Sequence, residues 1–111
     1  MTKLSADAIR TLESETAITN GTVTPFYLSD RRIRISVARV DGRLYAFDDL
    51  CTCGDQACPL SSGLLTGRTI MCQCHGSRFD ITTGAVVDGP ATKPLIVYEV
   101  QEDDGVLRVR A

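Results

Sequence analysis

No stretch of this sequence stays apolar for the roughly 18 residues that a bilayer-crossing helix needs. The first residues, Met1-Thr2-Lys3-Leu4-Ser5-Ala6-Asp7, lack the basic start and apolar stretch of a secretory signal, so a cytoplasmic protein is expected. Basic charge is not in excess. Twelve Lys and Arg against 14 Asp and Glu give a net charge of −2, which excludes the basic face that nucleic-acid phosphates demand. The nearest approach to a basic run is Arg31, Arg32 and Arg34; at strand spacing Arg32 and Arg34 share one face, read as the solvated side of a strand. There is no phosphate-cradling glycine loop, no nucleotide fingerprint and no nucleophile–base pair, so no catalytic residues are assigned. Histidine is nearly absent, with His75 alone.

What is present fits one small domain. The 111 residues, 43% apolar and 23% charged, allow a single modest core, and no repeat, low-complexity segment or linker divides residues 1–111. Ser5 is placed to cap a short helix with Ile9 and Leu12 on its inner face. After Asn20-Gly21 the pattern becomes β. Arg32-Ile33-Arg34-Ile35-Ser36-Val37 alternates polar and apolar, which predicts a half-buried strand. Asp41-Gly42 predicts a hairpin turn and Arg43 to Phe47 the return strand. Thr83-Gly84 and Asp104-Gly105 punctuate the later part, and Leu95–Val100 with Val106–Val109 reads as a closing strand pair. Two loops remain, Leu50 to about Gly63 and Cys72 to Arg78, near one end of an antiparallel β-domain.

All five cysteines fall between positions 51 and 74, and the single histidine follows the last of them. In a cytosolic chain such a cluster points to metal or catalysis before a disulfide framework. Cys51-Thr52-Cys53 and Cys72-Gln73-Cys74-His75 supply two short chelating pairs, with Cys51, Cys53, Cys72 and His75 as the four ligands. Thiolates suit zinc and iron–sulfur centres alike, so the ligand set alone leaves both open.

The stretch from Asp49 to Ala91 resembles the cluster-binding region of Rieske ferredoxins. The resemblance is carried by Cys51-Thr52-Cys53, Leu60-Ser61-Ser62-Gly63, Cys72-Gln73-Cys74-His75-Gly76-Ser77-Arg78-Phe79-Asp80, Thr83-Gly84 and Gly89-Pro90-Ala91. It implies an all-β fold, a Rieske-like antiparallel β-sandwich with two cluster-binding loops at one end, and a 2Fe–2S cluster. The family places two histidines on one iron. This chain has one histidine, and Cys53 stands at the first of those positions, so the implied centre has three cysteines and one histidine. A third thiolate makes it one unit more negative in each redox state, which lowers the expected potential.

The resemblance extends to the high-potential Rieske proteins of cytochrome bc complexes, whose cluster loops are joined by a disulfide. By that likeness Cys58 and Cys74 form a bridge; the alternative is two buried thiols. Gly76, Ser77 and Pro90 are expected around the cluster, with Ser77 donating to a sulfur, while Phe79 lacks the hydroxyl that a tyrosine there offers. Another alignment makes Cys53 the first cysteine and Asp55 the second ligand, and Cys58 is a further alternative to Cys53. The implied function is one-electron shuttling, without catalysis of its own, between a flavin-dependent reductase and a terminal oxygenase. That oxygenase is a ring-hydroxylating dioxygenase or a haem monooxygenase, met by transient docking. The alternatives are a small subunit or redox-sensing domain of a larger oxidoreductase, and a structural zinc module.

Overall fold

The computed structural model describes residues 9–12, 18–28, 32–50, 58–74, 76–89, 91–103 and 106–110. Within them the chain forms two antiparallel sheets. The larger is assembled from β1 (Ile9–Leu12), β2 (Val23–Leu28), β3 (Ile33–Val40), β4 (Arg43–Asp48), β9 (Val97–Asp103) and β10 (Val106–Arg110), in the order β1-β10-β9-β4-β3-β2. The smaller holds β5 (Leu64–Thr66), β6 (Thr69–Met71), β7 (Arg78–Asp80) and β8 (Val86–Asp88), in sequence order. No α-helix occurs among the described residues; a single 3-10 turn covers Leu60–Ser62. None of their helices is long and apolar enough to cross a membrane.

The local chemistry explains the hairpins. Val40 pairs with Arg43 across Asp41 and Gly42, both at positive φ (51° and 81°), the geometry of a two-residue turn that matches strand twist. The β9–β10 pairing runs from Val106↔Asp103 to Arg110↔Glu99, so the closing pair begins at Val97, two residues later than the pattern predicts. Leu95 and Ile96 precede the strand instead, and Leu95 is buried against the core.

Two expectations are corrected. Residues 9–12 form a strand, not a helix face: Ile9 to Leu12 pair with Arg110 to Leu107, so the backbone is satisfied by a partner far along the chain. An isolated helix of that length has no comparable support. Ser5 lies outside the described residues, as do Asp104 and Gly105. The second correction concerns β3. Arg32 and Arg34 are exposed as expected, but Ser36 is buried along with Ile35, Val37 and Ala38, so the polar face is dry beyond Arg34.

That burial reflects two cores, one on each face of β3. Ile35 and Val37 join Ile18, Leu28, Ala46, Leu107 and Val109 inside the curl of the large sheet. Ala38 joins Phe47, Cys58, Leu60, Ile70, Cys72, Phe79, Ile81, Ala91 and Leu95, where the small sheet packs onto the large one. Phe47 and Phe79 are fully buried, each stabilising the fold by about 1.5–3 kcal/mol through area removed from water. Arg39 adds a polar tie, its guanidinium donating to both carboxylate oxygens of Glu102 at 3.1 Å and linking β3 to β9.

Candidate metal centre

The first loop leaves β4 and returns at the 3-10 turn. Leu50 and Pro59 face each other in an isolated antiparallel bridge, and the Leu60 N–H donates to the Asp49 carbonyl at 2.5 Å. Leu50 and Pro59 thus form one rung that joins the two ends of the intervening segment. Gly63 then passes so close to β6 that a Cβ there would collide with the Met71 carbonyl, which fixes glycine at that point.

The second loop is the β6–β7 hairpin. Cys72 donates its N–H to the Ser77 carbonyl at 2.8 Å, extending the Met71↔Arg78 register, and the Gly76 N–H returns to the Cys72 carbonyl at 3.0 Å. Cys72 is buried at the end of β6, and Ser77 is buried opposite it. The two loops meet through sulfur. Cys58 and Cys74 are joined in a disulfide with Cα atoms 6.4 Å apart, and the sulfurs of Cys58, Cys72 and Cys74 lie within 4.8 Å of one another. Cys58 and Cys72 are buried, whereas Cys74 is exposed.

Cys51, Cys53, Asp55, His75 and Pro90 lie outside the described residues. Cys51 directly follows the rung residue Leu50 and His75 directly follows the bridged Cys74, so both belong to segments whose anchors are fixed. Ala91 reaches the second loop, its N–H donating to Ser77 Oγ at 3.0 Å. The Ser77 hydroxyl thus accepts one hydrogen bond and keeps its own hydrogen for another acceptor. A buried thiol, a second sulfur-bearing loop facing it and a hydroxyl with a proton to give suit an iron–sulfur centre.

One buried polar residue beside the site escapes sequence reading. Asp49 is fully buried, and its carboxylate accepts from Ser36 Oγ at 2.6 Å, the Ser61 N–H at 2.7 Å and Ser61 Oγ at 3.2 Å. It also pairs with Arg34 Nε at 2.5 Å. A buried charge is tolerated only when paired and hydrogen-bonded in this way. Nothing local in the sequence separates Asp49 from its neighbour Asp48. The latter is half-buried, and desolvation raises its carboxyl above the usual carboxylate value, partly opposed by the Leu50 N–H. A groove of about 470 Å³ between β4 and β9, lined by Leu44, Tyr45, Ile81, Tyr98 and Glu99, contains none of the cysteines.

Comparison with known proteins supplies the wider setting. The Rieske 2Fe-2S domain matches residues 10–99. The ferredoxin component of the naphthalene 1,2-dioxygenase/salicylate 5-hydroxylase systems of a Ralstonia species is 43% identical over 67 residues, 60% of this chain. That match spans 62% of the relative's own length. Among solved structures, a chain from the complex of reduced oxygenase and oxidized ferredoxin in carbazole 1,9a-dioxygenase superposes with a TM-score of 0.76 at 33% identity, covering 84% of this chain and 83% of that one. The Sphingomonas yanoikuyae B1 ferredoxin gives 0.76 at 29% identity, covering 86% and 90%.

Proposed function

Because the chain belongs to the Rieske 2Fe-2S domain family, we propose that it is a cytoplasmic one-electron carrier between a flavin-dependent reductase and a terminal oxygenase. On this reading residues 1–111 are one domain, with the cluster-binding region at about 49–91. The observation that carries the reading is the meeting of the two loops, with the buried Cys72 sulfur beside the Cys58–Cys74 bridge.

The cluster supplies reversible one-electron chemistry when bound. Its proposed ligands are Cys51, Cys53, Cys72 and His75. The rung at Leu50 and Pro59 supports Cys51 over Asp55, because it leaves the extra residues of this loop inside 51–58 and not in β4. The Cys58–Cys74 bridge holds the loops at a fixed separation, and Ser77 offers its proton to sulfur, stabilising added negative charge. His75 follows the exposed Cys74, where a docking partner has access. The chain supplies the conduit, and the partners catalyse.

Low-temperature EPR on anaerobically purified, dithionite-reduced protein tests this. A rhombic 2Fe–2S signal coupled to one nitrogen is expected. Silence from a colourless sample would replace the carrier by a zinc module. Cys53→His should raise the potential by removing one thiolate charge, and an unchanged or lower potential would remove Cys53 from the ligand set.

A further inference from the structure

We propose that Asp49 is a positioning residue for the first ligand loop, latching the loop's two ends together and, with Arg34 as its counter-charge, tuning the potential of the centre. This rests on the carrier reading above. The latch has two halves. Through its backbone Asp49 donates to the Arg34 carbonyl at 2.9 Å and accepts from the Leu60 N–H at 2.5 Å, tying the loop base to β3. Through its carboxylate it grips the Ser61 N–H and hydroxyl in the 3-10 turn after the loop and the Ser36 hydroxyl on β3. Asp49 thus touches the base of the loop, the turn that follows it and β3.

Hydrogen bonding alone does not require an anion, since a neutral amide oxygen also accepts from Ser36 and Ser61. The charge needs a further reason. Asp49 lies two residues before Cys51, no more than about 7 Å along the chain. Its carboxylate is fully buried, in the interior where fields are weakly screened. Its counter-charge, Arg34, has a side chain 45% exposed and reaches Ser61 Oγ with its other arm at 3.5 Å. A buried anion paired with a half-exposed cation makes the two partners act on the site in opposite senses.

The test compares the cluster-loaded parent with Asp49→Asn and Arg34→Gln. Arg39→Gln, which breaks the Arg39–Glu102 pair farther along the same strand, serves as the control. Potentials are read by EPR-monitored titration, and amide exchange at Ser61 is read in the cluster-free protein, with Leu60, which donates to the Asp49 main-chain carbonyl, as the internal reference. Asp49→Asn should shift the potential upward and Arg34→Gln downward. Asp49→Asn should also speed exchange at Ser61, whose N–H donates to the carboxylate, about tenfold, as replacing a charge-assisted hydrogen bond by a neutral one implies. The control should move neither reading.

Shifts of the same sign, or unchanged exchange in Asp49→Asn, would overturn the proposal, because a merely structural role gives no opposed pair. If Asp49→Asn does not fold, Arg34→Gln against Arg34→Lys decides the matter. The first should lower the potential and the second restore it, and equal potentials would overturn the proposal. A parent without any 2Fe–2S signal defeats the carrier reading and the tuning role with it; the exchange arm then decides whether the latch itself stands.

Discussion

The two cores on either side of β3 are built differently. The one inside the large sheet is aliphatic at its fully enclosed positions and includes no cysteine among the described residues. The one beneath the small sheet contains both fully buried phenylalanines together with Cys58 and Cys72. Packing in the first holds strands together. In the second it also holds sulfur, so the same side chains set both stability and the shape of the centre. A close-packed interior transmits small displacements, and only the second core has a site to receive them.

Four variants break or sharpen this contrast. Phe79→Ala empties the cluster-side core and should destabilise the protein by about 3–5 kcal/mol. Its EPR signal should broaden or vanish; a normal signal in the folded variant would mean the core and the centre are independent. Replacing Cys58 and Cys74 together by serine should cost about 3 kcal/mol, from release of a cross-link spanning 16 residues of sequence. Denaturant melts with and without a thiol reductant check it, since only the parent should respond to the reductant.

Ile35→Val, in the aliphatic core, should cost about 0.5–1.5 kcal/mol while leaving the EPR signal at the parent's values. The smallest effect belongs to Asp80. Hydrogen bonds from Thr82 chiefly hold its carboxyl below the usual value of 3.8, with Arg68 contributing, against a burial that pushes it up. A carboxylate depressed in the folded state adds stability above its unfolded value and loses it as pH falls through the folded value. Asp80→Asn should therefore flatten the acid limb of a stability–pH curve below about pH 4. An acid limb identical to the parent's would show that Asp80 carries no such linkage.

Much of the fold is legible where the signal is short-range. The Asp41-Gly42 turn and the β3 and β4 strands need only neighbouring residues, and the paired cysteines of each loop announce themselves by spacing. What escapes depends on partners that sequence does not display. Ile9 and Leu12 sit three apart, which suits a helix, and become a strand because β10 presents its edge to them. The alternation in β3 is read correctly and Arg34 stays exposed, yet Ser36 is buried, because no local pattern says that a second sheet will cover that part of the face. Asp49 depends on groups from β3 and from the 3-10 turn, brought together only in the folded chain. The centre is legible as a set of residues, and its scaffold only in the fold.

The seam between β4 and β9 rests on two residue pairs, Ala46↔Tyr98 and Phe47↔Val97. On one side of it lies the β2-β3-β4 meander, joined by consecutive pairings; on the other lies β1-β10-β9, whose outer ladder links Ile9 to Arg110. Contacts between residues so distant in sequence carry the largest loop-closure entropy and tend to form late. The meander and the hairpins of the small sheet are thus the natural early-folding unit, and the docking of β1 onto β10 is the last event. The Leu50–Pro59 rung and the β6–β7 hairpin belong to that unit, so the anchors of both cysteine loops do not depend on closure of the outer ladder.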